Sequence, residues 1–208
     1  KLGELSYENF NAAGAEVCVR GINVHPGEAK GKMLNAARIA IEFDSLLGVT
    51  DRPEMTEDRE GFFHLHQMEG NETEAKLSYL IREFDNEIFC QRKRKLESLA
   101  SLLNHRYGAD TVTVTIKDQY PNMISYLDAS MHIVERAKEV FEEAGIVPDC
   151  SPIRGGTDGV RLTERGLPCP NLFAGGLNFH SVLEYLPVRS MEKASEVVVR
   201  LAHSFARN

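Results

Sequence analysis

The segment Thr111–Lys117 reads TVTVTIK and is the clearest strand in the sequence. Val112, Val114 and Ile116 alternate with polar residues, so they share one face of an extended chain. The order of the elements on either side of this strand decides the fold.

The region before this strand predicts two helices and three more strands. The strands are expected at Glu16–Asn23, Phe62–Glu69 and Ala75–Phe84, and the helices at Lys32–Leu47 and Asn86–Leu103. The resulting β-α-β-β-α-β order is ferredoxin-like, an antiparallel sheet with two helices on one face. We expect this α+β domain to occupy residues 1–119.

Residues 120–208 show a different pattern. Helices are expected at Ser125–Ala144, Asp158–Arg165 and Met191–Phe205, with an apolar strand at Cys169–Ala174. Helices that alternate with short apolar strands indicate an α/β layer. Because this region is short for such a layer, we expect it to be an incomplete α/β domain.

Composition excludes several classes of protein. The 24 basic and 31 acidic residues give a net charge of −7, which argues against a broad nucleic-acid surface. No apolar run approaches the roughly 18 residues that span a bilayer. The four cysteines (Cys18, Cys90, Cys150 and Cys169) are scattered, which predicts free thiols in a reducing, cytoplasmic compartment.

Three motifs place chemically useful residues in turns. Arg154 lies in Pro152–Gly159 (PIRGGTDG), where a guanidinium could grip a carboxylate with two hydrogen bonds. His180 follows an apolar strand and could bind a metal or exchange a proton, with Glu184 to orient it. His25 projects from a Val-His-Pro-Gly turn. From the residues alone, ordinary turns with solvated side chains are the favoured interpretation.

Two further features are interpreted as structural. His64 and His66 form an H-x-H pair on a predicted strand, but no third ligand can be assigned. The run Arg92–Lys95 (RKRK) lies on a predicted helix and indicates a solvated face in this acidic chain.

Several stretches together resemble one family. They are Gly21–Met33 (GINVHPGEAKGKM), Arg82–Asp85 (REFD), Asp118–Met123 (DQYPNM), PIRGGTDG and Gly166–Phe173 (GLPCPNLF). In this order they resemble the peptidase T family of zinc tripeptide aminopeptidases. Such enzymes have a catalytic α/β domain that is interrupted by a ferredoxin-like lid, which is also the dimerisation domain.

The resemblance implies a role for five residues. His180 matches the last zinc ligand of the family. Arg154 and Asn122 match positions that hold the substrate's C-terminal carboxylate, and Arg82 matches a lid arginine suited to the same task. His25 matches a lid histidine that reaches across a homodimer to polarise the scissile carbonyl.

The chain also departs from the family. The other zinc ligands and the glutamate base precede the lid in these enzymes, and this sequence begins at the lid. We therefore expect the C-terminal half of a two-zinc aminopeptidase for tripeptides, inactive by itself. The alternatives are another two-zinc carboxypeptidase or deacylase, and a stand-alone dimerisation or interaction module.

Overall fold

The computed structural model describes residues 1–206, which divide into two compact units. Residues 10–121 form one unit, and residues 1–9 join residues from 122 onward in the other. The first nine residues belong there because strand β1 (Leu5–Ser6) pairs antiparallel with strand β6 (Asn171–Leu172). From the sequence we expected these nine residues to belong to the lid. The boundary near residue 119 between the lid and the catalytic-domain segment stays a prediction.

The unit of residues 10–121 has the predicted β-α-β-β-α-β order. Its elements are β2 (Asn11–Arg20), α1 (Ala36–Leu47), β3 (Phe62–Gly70), β4 (Glu74–Glu83), α2 (Asn86–Tyr107) and β5 (Val112–Tyr120). The four strands form one antiparallel sheet in the order β3-β4-β2-β5. The ferredoxin-like prediction is confirmed.

Capping residues determine where the two helices begin. The Asn35 side chain accepts a hydrogen bond from the Arg38 N–H at 3.1 Å, so α1 starts at Ala36 and not at Lys32. Asp85 caps α2 in the same way through the Ile88 N–H at 2.9 Å. This helix runs four residues beyond the predicted end.

Alternation along the strands gives the sheet two different faces. Val17, Leu77, Tyr79 and Ile81 are buried and belong to the same core as the apolar stripes of α1 and α2. The residues between them point to the opposite face, which carries mostly polar side chains such as Glu16 and is called here the open face.

The basic run on α2 is not the solvated face expected from the sequence. The Arg92 side chain is only 14% exposed, and its Nε donates to the Glu83 carboxylate at 2.9 Å. Arg92 and Lys95 also pair with Asp51, at 3.1 and 2.7 Å. These ion pairs tie α2 to β4 and to the loop before β3.

The second unit contains α3 (Met131–Glu143), α4 (Asp158–Glu164) and α5 (Val188–Ala206). The helix predicted from Ser125 begins later, because short 3₁₀ turns occupy residues 123–126 and 128–130. Leu5, Val134, Phe141, Phe173 and Val197 are among the buried residues of its core.

Across residues 1–206, every helix is too short or too polar to cross a membrane. All four cysteines are free thiols, and each is partly buried.

Candidate functional site

His25 is held in a rigid, exposed turn. Its Nδ1 accepts a hydrogen bond from the Gly27 N–H at 3.2 Å, and Pro26 opens a single 3₁₀ turn. Since Nδ1 is an acceptor, the neutral imidazole carries its proton on Nε2, where it can be donated outward. The turn therefore presents a hydrogen-bond donor to solvent.

The segment before His25 is anchored to its neighbours. A Cβ at Gly21 would collide with the carbonyl oxygens of Leu34 and Glu72, so only glycine fits this close approach. Asn23 donates to the Glu72 carboxylate at 3.0 Å. An open groove of about 820 Å³ follows this segment, and its lining includes His25, Asn23, Met33 and Glu72.

Arg82 lies on the open face of the sheet, near the end of β4, and is partly buried. Its Nη1 donates to the carbonyl oxygens of Ile81 at 2.8 Å and Ala13 at 3.3 Å. Its guanidinium carbon lies 5.6 Å from the ring centre of Tyr120 on β5. Burial lowers the pKa of Arg82, and Tyr120 acts in the opposite direction. An arginine with main-chain anchors can still grip a carboxylate with its other nitrogens.

Asn122 is buried in the second unit and has a structural role. Its Oδ1 accepts hydrogen bonds from the N–H groups of Asn9 at 3.1 Å and Ile124 at 3.3 Å. Its amide nitrogen is 3.5 Å from the Glu8 carboxylate. The side chain that the family resemblance assigns to substrate binding therefore also caps the turn at Met123.

Arg154 is linked to the same short segment as Asn122. Ile153, just before it, donates its N–H to the Glu8 carbonyl at 2.9 Å, and Ile153 bridges Asn9 in parallel. Arg154 itself is partly buried. The Glu8–Asn9 segment thus contacts Asn122 and the residue before Arg154, two of the three positions predicted to hold a carboxylate.

Thr157, in the Gly-Gly-Thr-Asp-Gly turn, was not singled out from the sequence. Its hydroxyl is buried and has no hydrogen-bond partner among the described residues. Such a group is unfavourable in a folded protein, commonly by about 1–3 kcal/mol, unless a water molecule, an ion or a ligand supplies the missing hydrogen bond. The sequence signal that could have indicated this buried hydroxyl is a threonine between the glycines of the turn.

His180 is exposed in the loop closed by the Leu177–Tyr185 bridge. Its φ of 65° places a non-glycine residue in the left-handed region, which is uncommon and often marks functional positions. The Glu184 carboxylate accepts the His180 main-chain N–H at 2.9 Å. Glu184 therefore shapes the loop through the backbone of His180.

Residues 1–206 contain no group of three or more histidine, cysteine, aspartate or glutamate side chains that could hold a metal ion. The ring centres of His64 and His66 lie 6.3 Å apart, and no third metal ligand joins these two side chains among the described residues. His180 has the right donor chemistry for one ligand, but these residues by themselves do not fit a complete metal site.

Comparison with known families supplies the identity of the fold. Residues 7–111 match the model of the peptidase dimerisation domain, a stretch that covers half of the chain. The chain belongs to this family. The matched residues include His25 and Arg82. They also include strands β2, β3 and β4 of the four-stranded sheet, but not β5.

Curated relatives of this peptidase dimerisation domain protein match nearly its whole length. Peptidase T from Clostridium perfringens is 51% identical over 206 residues, which cover 99% of this chain and 51% of the relative. Peptidase T from Caldanaerobacter subterraneus is 47% identical over 207 residues, which cover 100% and 51%. The chain thus spans about half the length of the curated relatives it matches.

Solved structures share the fold. An aminopeptidase PepT from Bacillus cereus superposes with a TM-score of 0.81 at 23% identity, over 97% of this chain and 53% of that one. A tripeptidase from Staphylococcus aureus gives 0.82 at 18% identity, over 100% and 55%. A Bacillus subtilis protein described as a dinuclear metal binding peptidase gives 0.70 at 15% identity, over 97% and 52%.

Proposed function

We propose that this chain is part of a metal-dependent aminopeptidase that releases the N-terminal residue from tripeptides. The observation that carries the proposal is the 51% identity to a peptidase T, which extends over 206 of the 208 residues. The polypeptide that carries these residues, together with the part that its relatives have outside them, is called here the full-length peptidase.

Three residues are proposed to bind the substrate's C-terminal carboxylate. Arg154 and Asn122 share the Glu8–Asn9 segment as their support, and Arg82 lies on the open face of the other unit. Guanidinium groups bind carboxylates through paired, charge-assisted hydrogen bonds. A fixed cation at the substrate's C-terminus would limit the length of peptide that fits.

His25 is proposed to donate a hydrogen bond to the scissile carbonyl oxygen. The Gly27 N–H occupies its Nδ1, so the proton on Nε2 points away from the turn. A donor aimed at an oxygen that gains negative charge stabilises the transition state more than the substrate. The exposed position of His25 supports a role across a homodimer, as the family's dimerisation domain suggests.

His180 is proposed as one ligand of a two-metal site, with zinc as the metal. The description of a structural neighbour as a dinuclear metal binding peptidase supports a metal in the full-length peptidase. Because residues 1–206 do not bring together a ligand set, we propose that the remaining ligands lie outside this chain and that the chain is inactive alone. We also propose a cytoplasmic location.

A substrate panel on the full-length peptidase tests this function. The panel contains a tripeptide, its C-terminal amide, its N-acetyl form, and the corresponding dipeptide and tetrapeptide, with products identified by mass spectrometry. We expect release of the N-terminal residue from the free tripeptide, slow release from its C-terminal amide, and no cleavage of the other three peptides. Release of the C-terminal residue would indicate a carboxypeptidase, and hydrolysis of only the N-acetyl form would indicate a deacylase.

A further inference from the structure

Four side chains form a row across the open face, one from each strand of the sheet. Arg82 is paired with Phe62 on one side and with Ala12 on the other, and Ala12 is paired with Tyr120. Directly paired residues in neighbouring strands point to the same face. Only the small Ala12 side chain therefore separates Arg82 from Tyr120.

An irregularity in β5 brings Tyr120 to this face. Asp118 pairs with Ala13 and Tyr120 pairs with Ala12, so Gln119 is an extra residue without a partner, as in a β-bulge. Asp118 points to the helices, where Lys93 of α2 binds it at 2.9 Å. Strict alternation would then place Tyr120 on the helix side as well. The bulge reverses this and sets Tyr120 beside Arg82.

Arg82 is constrained by its surroundings from two directions. Its Nη1 is used by the carbonyl oxygens of Ala13 and Ile81, which fix one edge of the guanidinium. The Tyr120 ring lies 5.6 Å from the guanidinium carbon, within the range of a cation–π contact. The remaining nitrogens are left for a carboxylate and for the Tyr120 hydroxyl.

From this geometry we infer that Tyr120 is a positioning residue, which holds the Arg82 guanidinium in place to receive the substrate's C-terminal carboxylate. The inference rests on the proposed function of Arg82. A long arginine side chain loses considerable rotamer freedom when it is fixed. Tyr120 and the two carbonyl groups already restrict the Arg82 side chain before substrate binds, so binding costs less conformational entropy. The substrate's carboxylate is therefore bound more strongly.

Steady-state kinetics of the full-length peptidase test this role. Tyr120→Leu removes the ring and the hydroxyl, and we expect KM for a free tripeptide to rise about threefold to tenfold with little change in kcat. Tyr120→Phe keeps the ring and should recover most of this loss. KM for the slowly cleaved tripeptide amide, which has no carboxylate for Arg82, should not change in either variant.

Two controls separate positioning from a general structural effect. Tyr107→Leu removes another partly buried tyrosine from the same unit, one that contacts the Glu42 carboxylate and not Arg82. It should leave both KM values unchanged. In an Arg82→Ala background, Tyr120→Leu should add no further increase in KM, because the group that it positions is gone.

The outcomes distinguish the two levels of the account. If Tyr120→Leu raises KM equally for the free tripeptide and its amide, or lowers kcat alone, the positioning role is wrong, and Arg82→Ala still tests the role of Arg82. If Arg82→Ala leaves the preference for the free carboxylate intact, the proposed function of Arg82 fails and the inference fails with it.

Discussion

The Asn9 main chain is bound by the Asn122 side chain, and the Asn9 side chain binds Met123, the residue that follows Asn122. The Asn9 N–H donates to the Oδ1 of Asn122 at 3.1 Å, and the Oδ1 of Asn9 accepts from the Met123 N–H at 2.8 Å. Both residues are almost fully buried. These two hydrogen bonds join the first nine residues to the segment after residue 121, and the first of them fixes the Asn122 side chain, which we propose to bind the substrate.

Replacement of Asn122 by alanine should destabilise the unit that contains it. The variant leaves the N–H groups of Asn9 and Ile124 without their acceptor, and a lost buried hydrogen bond commonly costs about 1–3 kcal/mol. Amide hydrogen exchange at these two positions should accelerate together with a fall in the free energy of unfolding in urea. Asn23→Ala, at an exposed asparagine, should change that free energy by less than about 0.5 kcal/mol. Equal effects of the two variants would contradict this interpretation.

Arg92→Met should be more destabilising than Lys93→Met, although the two residues are adjacent. Arg92 neutralises Glu83, whose side chain is only 6% exposed, and removal of one partner of a buried pair commonly costs about 3–5 kcal/mol. Lys93 pairs with the exposed Asp118, where about 0–1 kcal/mol is typical. Urea unfolding of both variants of this chain measures the difference. A smaller effect of Arg92→Met would show that Glu83 finds other compensation.

The stability of the chain should depend on pH through Asp51. Burial raises the pKa of Asp51. The hydrogen bonds from Lys95 and Arg92 together lower the pKa by more than burial raises it, so the net shift is downward. A folded pKa below the unfolded value means that the unfolded state binds more protons as pH falls. The resulting stabilisation is complete above the unfolded pKa of about 3.9 and is lost as pH falls through the folded value.

Unfolding measured between pH 6 and pH 2 tests this dependence. Asp51→Asn should flatten the loss of free energy in the acidic part of the range, relative to the unaltered chain. Asp118→Asn removes an equal charge from an exposed site and serves as the control. Parallel curves for the unaltered chain and Asp51→Asn would show that Asp51 does not contribute.

His25→Ala in the full-length peptidase should lower kcat by about 10² to 10³, with KM changed by less than about threefold. His25→Gln should recover part of the loss, since an amide nitrogen can take the place of the Nε2 donor. Asn23→Ala, in the same groove, is the matched control for a change of local structure. A large rise in KM with unchanged kcat would instead make His25 a substrate-binding residue.

Local sequence patterns predicted most of the ferredoxin-like unit. They missed residues that form a strand only because neighbouring strands pair with them. The first half of β2, residues 11–15, reads NAAGA, and these residues have little intrinsic preference for a strand. They form one because β4 and β5 pair with them on both sides. Conversely, Cys169–Ala174 looked like a strand, but Pro170 has no N–H to donate, and only Asn171–Leu172 pair.

The arrangement of the candidate site was less accessible from the sequence. His25 and Arg82 were identified through the family resemblance, and nothing in the local pattern indicated that a bulge at Gln119 would turn Tyr120 toward Arg82. The link of Asn122 and Arg154 to the Glu8–Asn9 segment joins residues more than a hundred positions apart. Such contacts arise from tertiary structure, which periodicity does not encode.

The metal content of the purified 208-residue chain tests most directly whether it supplies only part of an active site. The chain is dialysed against trace zinc, and bound zinc is measured by elemental analysis, with His180→Ala and His64→Ala compared in parallel. The account predicts less than one tightly bound zinc per chain. Two zinc ions per chain, retained in His180→Ala and lost in His64→Ala, would contradict it.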